Sequence, residues 1–177
     1  HYGIYVHELL RRTDEPAIRD ATEKVELHNE EIVVFDQSTT FIYIIYHGCL
    51  HQFFRLFWLR DVAEALQQWE LDHAAILNKM RSLGIERMAG IALLLAERWF
   101  AVQIPEPYRE VISQDPAVKR LAANCEQRIL GPELPTFRMK VRRHRFLFGL
   151  KPGARYKWTV LWSIFQRWRI RKFMGGH

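Results

Sequence analysis

Near Ser38 the spacing of apolar residues lengthens from two to three or four, and it keeps that longer period as far as Ile129. A period of 2 belongs to half-buried strands and one of 3.6 to helices, so the chain reads as a helical assembly with a small strand-bearing start. Ser38 has the residue type of an N-cap, and the helix it would open, over 39–52, is apolar nearly all round and therefore expected to be buried. A second helix is predicted over 54–69, with Leu56, Leu59, Val62, Ala63 and Leu66 on one face. Asp72 caps a third, which Gly84 ends. A fourth occupies 85–102 and stops before Pro105 and Pro107. Asp115 followed by Pro116 opens another, carrying Val118, Leu121, Ala122, Cys125 and Ile129 at helical spacing, and Gly131-Pro132 closes it.

Ahead of the switch, Val25-Glu26-Leu27 and Ile32-Val33-Val34-Phe35 flank the polar His28-Asn29-Glu30-Glu31, the pattern of a small hairpin, and Gly3 to His7 forms a further short β-type run. The fold class predicted is mainly α, a helical bundle preceded by a short β-hairpin. Its expected segments are a strand-bearing stretch over 1–36, a helical domain over 37–133, and a basic aromatic tail over 134–177 packed on that domain. Two basic helical stretches, 134–148 and 155–173, make up the tail.

Charge is distributed unevenly. From Leu134 onward there are twelve Lys and Arg and no Asp or Glu, whereas the residues before it hold 14 basic against 20 acidic side chains, a net of −6. The tail therefore carries a positive field that attracts polyanions, an anionic membrane surface or an acidic protein face. Arg142, Arg143, Arg145, Lys157, Arg167, Arg169 and Arg171 are its candidate polyanion-binding residues. Trp158, Leu161, Trp162, Phe165 and Trp168 form a stripe at helical spacing that is expected to face the bundle. The longest apolar run, Phe41 to Tyr46, is far short of the ~20 residues of a membrane span. With no leader pattern, and with Cys49 and Cys125 both on apolar helix faces, reduced thiols in a cytoplasmic protein are expected.

His47, His51 and Arg55 recur every four residues and would share one ridge if the first helix ran on through Arg55. Two histidines at this spacing suit a metal, a hydrogen-bonded helix crossing, or contact with a phosphate, which Arg55 and Arg60 favour. No metal site is expected, because no third ligand accompanies them. Asp61 lies between Leu59 and Val62, as either a partly buried ion-pair partner or a functional carboxylate. The four residues are expected to meet inside a helix pair. Glu70-Leu71-Asp72 spaces two acids as a metal-binding strand would, but the periodic run after Asp72 makes it a helix cap.

The segment His47-Gly48-Cys49-Leu50-His51, followed by Arg55-Leu56-Phe57-Trp58-Leu59-Arg60-Asp61-Val62-Ala63, resembles the recurrent signature H-G-x-x-H … R-L-x-W-L-x-D-[IVL]-A of the uncharacterised nucleotidyltransferase family of bacteria. Leu71-Asp72-His73, Gly84-Ile85-Glu86-Arg87 and the Ile104-Pro105-Glu106 turn follow in the family's order, so that roughly 20–110 is covered. The resemblance implies nucleotidyl transfer from a nucleoside triphosphate with Mg²⁺ held by carboxylates on a strand. The Gly-[Gly/Ser] turn and Asp-x-Asp strand that would carry this chemistry are not among these residues, and Ile4-Tyr5-Val6-His7 has Tyr5 where the family places another acid. What the resemblance implies is thus either a C-terminal helical region separated from its N-terminal half or a degenerate relative of the family, with the hairpin a remnant of the α/β catalytic domain. It would cover the catalytic sheet and contact nucleotide or acceptor through His47, His51, Arg55 and Asp61, with no catalytic residue of its own. Mg²⁺ and nucleoside triphosphate would belong to a full-length relative, and the N-terminal catalytic segment would be its partner; a start at His1 agrees with that expectation. The alternative is a non-enzymatic helical module that binds nucleic acid or a protein partner through its tail.

Overall fold

Two strands open the structure, a computed structural model that describes residues 21–131, 136–153, 156–158 and 160–162. Strands β1 (Thr22–Leu27) and β2 (Glu30–Phe35) pair antiparallel, with Thr22 opposite Phe35 and Leu27 opposite Glu30. The connection His28-Asn29 holds both residues at positive φ, 52° and 64°. A two-residue turn of that hand matches the right-handed twist of the strands, so the small hairpin expected from the sequence forms, with Glu30 and Glu31 in β2 and not in the link. Its far end closes at Asp36, whose N–H donates to the Ala21 carbonyl at 3.0 Å.

Asp36, not Ser38, caps α1 (Gln37–Leu50), its carboxylate accepting from the Thr39 N–H at 2.6 Å. The cap sits where the chain leaves extended geometry, and that point is the end of β2, which places Ser38 inside the first turn. After α2 (Leu56–Gln68), Asp72 caps α3 (His73–Ser82) by accepting from the Ala75 N–H at 2.9 Å, and Gly84 follows it at φ 61°. Helix α4 (Glu86–Phe100) ends on Ala101 in the left-handed region, and Pro105 precedes α5 (Glu106–Gln114). Asp115 then caps α6 (Pro116–Leu130), accepting from the Ala117 N–H with Pro116 in the first turn, where its missing N–H costs nothing. Among the described residues the last complete helix is α7 (Thr136–Leu150).

All nine residues from Met88 to Ala96 are buried, which places α4 at the centre, in contact with α1, α2, α3, α5 and α6. Gly90 lets α6 approach closely; a Cβ there would lie 3.1 Å from Val118. Helix α7 adds Phe146 and Leu150 to the core from outside this ring. The described residues are mainly α with one β-hairpin, as the periodicity predicts, and no helix among them is long and apolar enough to cross a membrane.

Beyond α7 the expected inward stripe is reversed. Tyr156 packs on the core and Val160 is buried, whereas Trp158 is 68% exposed and Leu161 and Trp162 are about half exposed. Both ridges are apolar, and residues 156 and 160 lie on the side of a helix opposite 158, 161 and 162. Only one ridge can be buried, and the Tyr156 hydroxyl, donating to the Leu147 carbonyl at 3.0 Å, fixes which. Phe165 and Trp168 lie outside the described residues.

One guanidinium fastens α7. Arg87, in the first turn of α4, donates through Nε to the Asp115 carboxylate and through Nη1 to the Gly149 carbonyl, both at 2.5 Å. Lys151 adds a bond from Nζ to the Leu83 carbonyl at 2.8 Å. The Arg87 side chain is mostly shielded from water, so removing it strands a carboxylate and a carbonyl that water reaches poorly. Arg87→Met should therefore cost about 2–3 kcal/mol, measured by urea denaturation, and should expose α7 to proteolysis.

Candidate nucleotide-contact site

The ridge expected through Arg55 is broken, and the break builds the site. Helix α1 stops at Leu50, His51 is its C-cap, and Gln52 and Phe53 turn back at φ 56° and 46°. The Phe53 N–H donates to the Gly48 carbonyl at 2.8 Å, and its buried ring lies where a side chain on Gly48 would be, with Cε1 2.1 Å from the position of a Cβ. The glycine of the His-Gly-x-x-His segment is thus the seat on which the chain reverses.

That elbow brings the start of α2 back beside the end of α1. The His47 and His51 rings are 4.8 Å apart between centroids, and each lies 5.2 Å from Trp58. Tyr43, one turn before His47, stacks on it at 5.7 Å. Phe54 and Phe57 meet Trp58 edge-on at 5.2 and 5.4 Å, and they are 40% and 49% exposed. Arg55, solvent-exposed at the N-cap of α2, spans Phe54 and Phe57 with its guanidinium carbon 5.3 and 6.0 Å from their centroids. Arg128 of α6 lies 5.8 Å from the Phe54 ring. The result is an aromatic surface with cations at its margin.

Burial holds both histidines below the ordinary imidazole range. For His51 the effect is reinforced by His47, by Arg143 from α7 and by Arg55, all of which repel a proton there. The imidazoles are therefore neutral near pH 7 and can each donate and accept. Asp61 stands apart. It is exposed, one turn beyond Phe57, and its carboxyl is raised by partial burial and then by Glu64, against the opposing effect of Arg60. Arg60 is paired with Glu64 at 2.7 Å, not with Asp61. Of the four residues expected to meet inside a helix pair, only His47 and His51 do so; Arg55 borders them in solvent, and Asp61 lies outside the cluster.

The sequence reading missed Tyr43, Phe54, Phe57 and Arg128. Tyr43 was legible, because 43, 47 and 51 continue one four-residue spacing, whereas Arg128 arrives from a distant helix and leaves no local signal. Among the tail cations, Arg143 acts on His51, Arg142 donates to the Asn124 carbonyl at 2.8 Å, and Arg145 and Lys157 are exposed. Arg167, Arg169 and Arg171 lie outside the described residues. Among the described residues no three His, Cys, Asp or Glu side chains converge to hold a metal ion. The Mg²⁺ implied by the resemblance therefore has no ligand set among the described residues.

A family model described as uncharacterised nucleotidyltransferase matches residues 5–101, more than half of the chain. The match contains the hairpin, the elbow and α4, while Arg128 and Arg143 lie beyond it. No curated protein and no solved structure matches the chain.

Two outcomes follow from this geometry. Gly48→Ala would gain about 0.5–1 kcal/mol of helix propensity. It would also force the Phe53 ring out of a closed core, which costs about 1–3 kcal/mol, so net destabilisation is expected in chemical denaturation, together with a changed near-UV signal from Trp58. Acid should destabilise the fold as well. His47, His51 and His73 are all lowered by burial from 6.5, so below that value the unfolded chain binds more protons than the native one. Their contribution is complete above pH 6.5 and is lost as pH falls towards the depressed native values. The raised carboxyl of Asp61 acts in the opposite sense. Melting temperature should fall between about pH 7 and pH 5, and less steeply in a His47→Gln/His51→Gln variant.

Proposed function

The chain belongs to the uncharacterised nucleotidyltransferase family, and we propose that its α1–α2 elbow contacts the nucleotide or acceptor in nucleotidyl transfer. The catalytic carboxylates are supplied by a segment outside these residues. The observation that carries this reading is the exposed Phe54–Phe57 surface bordered by Arg55 and Arg128, with neutral His47 and His51 behind it. Aromatic faces stack on bases whatever their identity, and guanidinium groups at the margin match phosphate oxygens. Buried Gln52, within the elbow, adds an amide donor that has no acceptor among the described residues, a group that a bound polar ligand would satisfy. Asp61, exposed one turn beyond Phe57 and outside the ring cluster, would in this reading accept from a ribose or acceptor hydroxyl. In this reading the β1–β2 hairpin continues the sheet of the catalytic segment, since a two-stranded hairpin alone is marginally stable.

A second reading, a helical module that binds nucleic acid or a protein partner through its basic tail, is favoured by the exposure of Arg145 and Lys157. Equilibrium dialysis with labelled nucleoside triphosphates tests the first. Arg55→Ala and Phe57→Ala should each weaken binding about tenfold. Affinity should also rise as pH falls towards about 6, because a phosphate beside His47 and His51 raises their proton affinity. No binding by the unaltered chain would overturn the first reading, and binding untouched by both substitutions would place the nucleotide elsewhere. Duplex binding that survives Phe57→Ala but is lost in Arg145→Gln/Lys157→Gln would favour the second.

A further inference from the structure

We propose that the outer face of α7 and of residues 156–158 and 160–162 docks on an anionic lipid surface. Phe137 and Val141 lie one turn apart on α7, and both are solvent-exposed, Phe137 at 76%. At 100° per residue, exposed Arg138 and Arg145 flank that apolar line on one side and exposed Lys140 on the other. Residues 156–158 and 160–162 repeat the arrangement, with Trp158, Leu161 and Trp162 outward and Lys157 beside them. No Asp or Glu follows Glu133, so nothing in this part of the sequence repels an anionic layer. An apolar line bordered by cations, with tryptophan in it, is the pattern of a helix lying in a membrane interface, and no described helix is long and apolar enough to go further.

The aliphatic side chains decide between lipid and nucleic acid. Val141 and Leu161 have no ring to stack on a base and no donor for a phosphate, yet they gain free energy on entering hydrocarbon. Of the inner cations Arg142 is already occupied by the Asn124 carbonyl and Gln127, and Arg143 is half-buried, whereas Arg138, Lys140 and Arg145 face solvent. The face is distinct from the elbow and does not depend on its reading.

Flotation of the full chain tests this, using phosphatidylcholine vesicles and vesicles of phosphatidylcholine mixed with phosphatidylglycerol. The chain should float with the mixed vesicles only, and less so as salt rises. Val141→Ser/Leu161→Ser should weaken partitioning by roughly tenfold or more. Arg138→Gln/Lys140→Gln/Arg145→Gln should weaken it roughly a hundredfold. All five side chains are exposed, so both variants should keep the parental melting temperature, and Trp158→Ser provides an independent apolar variant should either of them melt early. Equal partitioning of Val141→Ser/Leu161→Ser and Trp158→Ser with the unaltered chain would overturn the proposal, as would failure to float with mixed vesicles. Tighter binding to duplex DNA than to mixed vesicles at the same salt would overturn it in favour of nucleic acid.

Discussion

A helix buried on every side over nine consecutive residues has to be enclosed, and enclosing the middle of α4 dictates where everything else goes. Five helices pack round it, and its small residues Ala89, Gly90, Ala92 and Ala96 let them approach. The ring is held at its margins by polar contacts from α4 itself. Arg98, in its last turn, donates from Nη1 to both carboxylate oxygens of Glu126 of α6, and Arg87, in its first turn, reaches Asp115 and Gly149. Through Arg87 the position of α7, and with it the charge that Arg143 places near His51, depends on the first turn of α4. A basic helix remote in sequence thereby becomes part of the electrostatics of the elbow.

Much of this was legible because it is local. The hairpin follows from two β-branched runs and a short polar link, and the caps at Asp72 and Asp115 follow from residue type just ahead of a periodic run. Cys49 and Cys125 are buried free thiols, as their apolar registers suggested. The errors share a different cause. Ser38 and Asp36 are both good capping residues, and the choice between them was made by where the strand ended. The elbow at Gln52 and Phe53 uses positive φ at two residues that rarely adopt it, which only the Phe53 ring against Gly48 makes worthwhile. The outward turn of Trp158 reflects competition between two apolar ridges, and a stripe read alone cannot reveal its rival.

The elbow and the outer face of α7 are both aromatic and basic, yet they suit different ligands. At the elbow the rings are clustered and backed by imidazoles that burial keeps neutral beside Arg55 and Arg143, so an incoming anion meets polar groups able to change their protonation. On α7 the exposed carbon is partly aliphatic and the cations stand apart along a line. Composition alone merges the two surfaces; the direction of each side chain separates them.

The two sulfurs have a use that their chemistry alone would not suggest. Cys49 on α1 donates to the Met88 carbonyl at 3.4 Å, and burial raises both it and Cys125 of α6 well above the ordinary thiol range. Neither forms an appreciable amount of thiolate while the helices stay closed round α4, so an alkylating reagent must wait for them to part. The pace of its reaction is then a clock on the breathing of the helical core, and a difference in pace between the two sulfurs would tell which wall, α1 or α6, lifts first.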